Sequence, residues 1–348
     1  MKTKENIIIF RIDRLGDFII ITSLLRALKK KYPESSITIV ASKLNINFIK
    51  KYKIIDEVIL YDKKFSLLKK FKIFKYIISK KYFVSFSIDR KTFSNFCNLF
   101  IRSKFKFGLF YKFYLFNFSF YKPNIFFKFI FDYCEIFTSK KHLQRIEHLP
   151  TKIISLGNQL GLKIKNVDKY YFKPTLDIPK FKKKYKNFIQ KKYLLIHLDE
   201  KWCDIIDINK NLFNALIKLQ DNTNKVLVLT TYKNKFQYYL NLKKNLIKYK
   251  IKKIKLIENS NLNEMERLIK YSHVSISCHS GFLVQISGAN STKIIDIINK
   301  NDYLWYSCWV PFNTSHKFIY KSINDKYFSI NKILSDLEKI IYNSRIIS

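Results

Sequence analysis

Short apolar runs rich in β-branched residues alternate with helix-patterned segments along this chain, in two successive series. No other feature constrains the fold as much. In the first series Ile7–Ile12, Ser36–Ala41, Ile54–Tyr61 and Phe83–Ile88 read as strands. Thr22–Tyr32 reads as a helix. Leu24, Leu25 and Leu28 fall at helical spacing, Lys29–Lys31 fill the last turn, where cations suit the helix dipole, and Pro33 stops it. A helix over Arg145–Leu162, ending at Gly161, closes this series. In the second series the strands are Tyr193–His197, Val226–Thr230, Ile254–Ile257, Val274–Ser277 and Lys293–Ile297. They alternate with helices over Lys210–Leu219, Lys235–Tyr249, Leu262–Tyr271 and Gly281–Ala289, and Asn331–Tyr342 closes the chain as a helix. Such alternation predicts α/β architecture, with parallel sheets covered by helices on both faces. The polar stretch YYFKPTLDIPKFKKKY, with Pro174 and Pro179, marks the joint between two Rossmann-like halves. The expected organisation is a first domain over 1–172, a linker over 173–190, a second domain over 191–328 and a terminal helix over 329–348.

The 348 residues carry 66 Lys and Arg against 26 Asp and Glu, a formal charge of +40. Such a chain is drawn to polyanions: nucleic acid, anionic lipid or phosphorylated substrates. A coding bias that enriches Lys, Ile, Asn, Phe and Tyr along the whole chain explains the charge equally well. Cys97, Cys134, Cys203, Cys278 and Cys308 are odd in number, far apart and without a CxxC pair. That argues against a disulfide framework or a structural zinc site and fits a reducing cytosol. The four apolar residues before Arg11 are too few for a signal peptide, and no uncharged run approaches the ~18 residues of a spanning helix. The expected location is the cytoplasm, with attachment to the inner face of the cytoplasmic membrane as the peripheral variant.

Residues 100–133 are crowded with Phe, Tyr and Lys. They read as core and hairpin, as a basic aromatic surface for a membrane interface, or as a stacking platform for an oligonucleotide. No nucleic-acid signature accompanies them, so no nucleic-acid partner is expected.

Two strand-to-helix turns carry the chemistry. In RIDRLGDFII, Gly16 and Asp17 fall where the first strand turns into a helix, at the carboxyl edge of a parallel sheet, where such sheets bind ligands. A glycine there lets a substrate approach the backbone. Asp17 is either a helix cap or a catalytic carboxylate on local grounds. Arg14 is placed to hold an anionic acceptor or to orient Asp17, and Asp13 is its candidate ion-pair partner. Asp89 and Arg90 end another strand of that edge and are further acceptor-side candidates. In SISCHSGFLVQISGAN, Ser280 and Gly281 follow a strand and open a helix, a setting for a diphosphate against backbone N–H groups or for a plain Ser cap. His279 beside them is either a phosphate contact or a satisfied structural histidine.

The run IIIFRIDRLGDFIIITSLLRALKKKYPESSITIV resembles the opening motif of glycosyltransferase family 9, the lipopolysaccharide heptosyltransferase family. YFVSFSIDRKTFSNFCNLFIRSKFKFGL, EHLPTKIISLGNQLGL and YLLIHLDEKW are similar to later segments of that family in the same order. The resemblance implies a GT-B fold, two Rossmann-like domains facing an interdomain cleft, with the terminal helix bracing the first domain. It implies Asp17 as the general base of an inverting transfer, and a second-domain lysine, Lys201, that neutralises the leaving diphosphate. It implies a nucleotide-sugar donor such as ADP-heptose, held at Ser280 and Gly281, and a glycolipid acceptor. No metal and no cofactor is called for, since a carboxylate, a lysine and a helix dipole supply the chemistry. The family's Asp-Ser/Thr-Gly-x-x-His donor motif is changed here, with His279 at the Asp position and Val284 at the His position. A catalytically silent nucleotide-binding relative and a basic nucleic-acid-binding protein are the alternatives.

Overall fold

A computed structural model describes residues 5–115, 118–122, 124–138, 147–164, 178–189, 192–198, 210–231, 240, 243–244, 254–258, 260–312, 314–321 and 335–339. The chain divides into two compact units. One comprises Met1–Phe172 with Leu304–Trp309, the other Lys173–Tyr303 with Val310–Ser348.

The first unit begins with β1 (Asn6–Arg11), α1 (Leu15–Ile20), α2 (Thr22–Lys31), β2 (Ser36–Ala41), α3 (Ile46–Ile49), β3 (Glu57–Leu60), α4 (Leu67–Ser79), β4 (Lys81–Ser87) and α5 (Thr92–Phe100). It continues with β5 (Arg102–Leu115), β6 (Phe118–Lys122), a 3₁₀ helix over Ile125–Ile130, β7 (Tyr133–Thr138) and α6 (Leu149–Gln159). Its sheet runs β3-β2-β1-β4-β5-β6, with β7 also paired to β5. All described pairings are parallel except the β5–β6 hairpin. β1 is apolar from Ile7 to Phe10 because it is covered on both faces. On one face Ile8 and Phe10 meet Ile77 of α4 and Cys97 of α5. On the other face α2 and α6 pack so closely that a Cβ on Gly157 would stand 2.9 Å from Leu24. Lys31, in the last turn of α2, donates to the carbonyls of Leu160 and Gly161 at 2.7 and 3.2 Å, satisfying the carboxyl end of α6.

Part of the aromatic stretch is core. Phe107, Phe110 and Tyr111 of β5, Phe131 and Phe137 are buried, and β5 with β6 forms the antiparallel hairpin. The chain re-enters this unit through Leu304–Trp309, where the Leu149 N–H donates to the Cys308 carbonyl at 3.0 Å. Of the terminal helix, residues 335–339 are described. They belong to the second unit, where Glu338 accepts from Asn222 at 2.7 Å.

The second unit contains α7 (Ile178–Lys184), α8 (Lys186–Ile189), β8 (Leu194–Leu198), α9 (Lys210–Thr223), β9 (Leu227–Thr231), β10 (Ile254–Ile257) and α10 (Leu262–Tyr271). Then come β11 (Val274–Ser277), α11 (Gly281–Ala289), β12 (Lys293–Asn299) and β13 (His316–Lys321); between the last two strands runs α12 (Tyr303–Ser307), which from Leu304 onward belongs to the first unit. The sheet order is β10-β9-β8-β11-β12-β13, parallel throughout. β13 lies at its edge and had no counterpart in the sequence reading. The expected helix over Lys235–Tyr249 lies almost wholly outside the described residues. α11 approaches the loop before β13 at Gly288, where a Cβ would sit 2.2 Å from the Pro311 Cβ. Gly288→Ala is therefore expected to destabilise the second unit by about 1–3 kcal/mol through overpacking, measured as a lower urea midpoint.

Candidate functional site

The strand order of the first sheet reverses between β1 and β4. Loops leaving the carboxyl ends of strands on either side of such a reversal part from each other and leave a crevice. Here those loops carry Asp13, Arg14 and Asp17 after β1, and Asp89 and Arg90 after β4. Arg11, the last residue of β1, is fully buried and ties them together. Its Nε donates to the Asp17 carbonyl at 2.8 Å, and one terminal nitrogen reaches the Ile88 carbonyl at 2.7 Å and Asp13 Oδ2 at 3.2 Å. The other terminal nitrogen lies 3.6 Å from Asp17 Oδ1. Ser42 and Asn45, after β2, hold the same loop by donating to the Asp13 carbonyl at 2.7 and 3.2 Å.

Asp17 is the third residue of α1. Its Oδ2 accepts from the Arg14 N–H at 3.1 Å, one arm of a capping box. The side chain keeps 18% of its exposure, so the carboxylate is both anchored and reachable. Gly16 lies beside it in the buried first turn. Asp89 is committed to the scaffold: it accepts from the Ile12 N–H at 3.2 Å, the Lys91 N–H at 3.0 Å and the Ser94 hydroxyl at 2.7 Å. Arg90 sits at φ +59 with its guanidinium 3.8 Å from the Tyr111 ring and 5.8 Å from that of Trp309. Among the described residues its buried Nε has no hydrogen-bond partner, nor has the Tyr111 hydroxyl. Arg14 projects into solvent. Burial pushes the Asp13 carboxyl up to about 6, against the pull of Arg11 and with the help of the Asp89 and Asp17 charges.

The second sheet reverses between β8 and β11. Lys201 follows β8 and lies outside the described residues. After β11, His279 takes φ +54, and its backbone N–H and Nδ1 both reach Asp296, at 2.7 Å to Oδ1 and 2.6 Å to Oδ2. Ser277 Oγ adds a donor at 3.2 Å, and His316 Nε2 stands 3.6 Å away. Asp296 is fully buried in β12, yet these donors outweigh desolvation and hold its carboxyl down at about 2. An ionised carboxylate only accepts, so Nδ1 of His279 carries the proton and Nε2 is the ring nitrogen not committed to Asp296. Ser280 caps α11 by position but makes no side-chain cap bond, and its N–H donates to Ser277 Oγ at 3.2 Å. Among the described residues nothing lies within 4 Å of the place of a Cβ on Gly281, which is exposed at the first turn of α11. Val284 is buried.

No family model matches the chain, and no curated protein matches it by sequence. Solved structures do. The glycosyl transferase family 9 protein of Veillonella parvula superposes with a TM-score of 0.65 at 13% identity, over 100% of this chain and 98% of that one. E. coli ADP-heptose lipopolysaccharide heptosyltransferase II gives 0.64 at 12% identity, over 98% and 99%. An E. coli heptosyltransferase solved with ADP-2-deoxy-2-fluoro heptose gives 0.64 at 13% identity, over 96% and 99%. The fold is that of the family 9 glycosyltransferases, the GT-B type.

Within this fold the sequence-predicted residues separate into two half-sites. Arg14, Gly16, Asp17, Asp89 and Arg90 gather at the first switch point, and His279, Ser280 and Gly281 at the second. The sequence reading missed Asp296, whose signal was a lone carboxylate in the apolar strand KIIDIIN. It also missed that Arg11 is the buried hub of the first half-site.

Two titrations follow. The pKa of Asp13 is raised on folding, so stability is fullest below its ordinary 3.8 and falls as pH rises through about 6. Asp13→Asn is expected to gain stability relative to the native chain across that window and to level off above it, measured by urea unfolding against pH. The pKa of Asp296 is lowered, so it contributes about 2 kcal/mol at neutral pH, lost as pH falls from 3.8 through about 2. Asp296→Asn is expected to show that deficit at neutral pH and to lose it progressively in acid.

Proposed function

We propose that the chain is an inverting glycosyltransferase that moves a sugar, heptose by the resemblance, from a nucleotide-sugar donor such as ADP-heptose to a lipopolysaccharide or lipooligosaccharide core acceptor. The observation that carries this reading is Asp17, a reachable carboxylate at the carboxyl edge of the first sheet, fixed by Arg14 and Arg11. A base must be held still to be useful, and one oxygen of Asp17 is spent on being held. The acceptor hydroxyl gives its proton to Asp17 as its oxygen attacks the anomeric carbon from the face opposite the leaving diphosphate. Arg14 and Arg90 supply cationic contacts for the acceptor, and Asp89 keeps the loop beneath them in place. The diphosphate takes the Gly281 backbone N–H and the Ser280 hydroxyl, which makes no cap bond, with the α11 dipole behind them. The ammonium of Lys201, with the imidazole of His279 when Nε2 carries a second proton, completes the charge balance, so that no metal ion is required. The acceptor is membrane-borne, which puts the reaction at the inner face of the cytoplasmic membrane. The heptosyltransferase solved with an ADP-heptose analogue supports the choice of donor.

The changed donor motif favours a second reading, a relative that binds nucleotide without transfer. Val284 is packed into the core and offers nothing to a diphosphate. Asp17→Asn separates the two, because the amide oxygen keeps the Arg14 cap but cannot take a proton. Transfer from ADP-heptose is expected to fall about 10²–10⁴-fold in kcat, while thermal stabilisation by ADP, which scales as RT ln(1 + [L]/Kd), is unchanged. Transfer that survives this substitution removes Asp17 as the base. Stabilisation by ADP with no transfer by the native chain selects the silent relative.

A further inference from the structure

Neither half-site accounts for the outer faces of α4, α5 and the 3₁₀ helix. α4 fully buries only Ile77. Leu67 and Leu68 are 82% and 76% exposed and Phe71 60%, joined by Phe96, Leu99 and Phe100 of α5 and by Phe126 and Phe129 of the 3₁₀ helix. The phenylalanines of α4 and α5 are contiguous. Phe74 meets Phe71, Phe96 and Phe100 at ring-centroid distances of 6.3, 5.2 and 5.6 Å, and α5 packs beside the 3₁₀ helix. Single exposed apolar residues are ordinary on a soluble protein, but a continuous ridge of them marks an interaction surface.

The ridge is also cationic. From residue 63 to residue 131 the chain has 16 Lys and Arg and one acidic residue, Asp89, which is buried. Lys69, Lys70, Lys72 and Lys75 stand on α4 between the exposed leucines and phenylalanines. The topology also gives the ridge a direction. α4 follows β3 of a parallel sheet, so Leu67 and Leu68 open the helix at the sheet's carboxyl edge, the edge that carries Asp17.

We propose that this ridge docks the first unit on an anionic lipid bilayer. The leucines and rings enter the headgroup–acyl boundary and the lysines face lipid phosphates. Rings and lysines together also suit nucleic acid, but Leu67, Leu68 and Leu99 have no face on which a base can stack, and they are among the exposed side chains. Among the described residues no helix is long and apolar enough to cross a membrane, so such docking is peripheral. The inference rests on the transferase reading only for its purpose, bringing a membrane-borne acceptor to Asp17.

Co-sedimentation of the full chain with vesicles tests it without any sugar substrate. Phosphatidylcholine–phosphatidylglycerol vesicles are expected to bind the chain, and phosphatidylcholine vesicles to bind it at least about tenfold more weakly. L67S/L68S/F71S and K69Q/K70Q/K72Q/K75Q are each expected to weaken binding about tenfold or more, with unchanged melting temperature and unchanged transfer to a delipidated acceptor. The charge-matched variant K180Q/K182Q/K183Q/K186Q, on α7 and α8, is expected to lose less than about threefold. Phe71→Trp is expected to show emission quenched by brominated lipid beyond that of the native tryptophans. Ridge variants that bind as tightly as the native chain overturn the proposal. So does an equal loss in the α7–α8 variant, which would make bulk charge the cause. Oligonucleotide binding that depends on Leu67, Leu68 and Phe71 while vesicles go unbound gives the ridge to nucleic acid instead. None of these outcomes touches the transfer assay of Asp17→Asn.

Discussion

A guanidinium with no access to water must be answered by the groups around it, and Arg11 is such a group. Left alone it would cost several kcal/mol. Its partners are the carbonyls of Ile88 and Asp17 and the carboxylates of Asp13 and Asp17. They come from the end of β1, the start of α1 and the end of β4, so the three pieces of the first half-site share one buried charge. The electrostatics follow from the same residue. Three carboxylates, Asp13, Asp17 and Asp89, crowd one sheet edge, and Arg11 with Arg90 offsets most of their repulsion. Asp13 has its proton affinity raised first by its own burial and then by the Asp89 and Asp17 charges, against the pull of Arg11 and Arg90.

The second half-site inverts this logic with the same means. Its buried charge is the anion Asp296, and its partners are His279, Ser277 and His316. In both units a non-glycine residue beyond the switch point, Arg90 or His279, adopts the left-handed backbone region. Such a conformation costs about 1–3 kcal/mol and persists only where surrounding contacts over-determine it. Arg90 has the Tyr111 and Trp309 rings, and His279 has two bonds to one carboxylate. Both strained residues stand just beyond the carboxyl edge of a parallel sheet, at its switch point.

The sheets were legible because their strands are buried on both faces and therefore apolar without interruption. Ser36–Ala41, Ile254–Ile257 and Val274–Ser277 form as the pattern predicts, and the helices Leu262–Tyr271 and Gly281–Ala289 do so to the residue. β13 was not legible. HKFIYK mixes polar and apolar side chains because an edge strand has one paired side. The break between α1 and α2 at Ile21 was hidden by an apolar run that continues through it. The placement of the candidate residues was legible by type and position: a glycine and an aspartate after one strand, a serine and a glycine after another. It was not legible by partner. Nothing local shows that His279 finds Asp296 seventeen residues later, or that Asp89 turns its carboxylate inward to the scaffold. The aromatic density was visible from sequence, but its division into core strand and outer ridge depends on which side of α4 and α5 meets the sheet.

The return of Leu304–Trp309 to the first unit has a consequence in time as well as in space. Arg90 lies over the Trp309 ring, Tyr111 meets Trp305 at a tilt, and the amide at the start of α6 is satisfied by Cys308. A chain emerging from the ribosome has made every strand of the first sheet long before it has made these partners. At ordinary rates of synthesis the interval is on the order of ten seconds. During that interval the loop that positions Arg90 lacks one of its walls, which only the later translation of Leu304–Trp309 supplies.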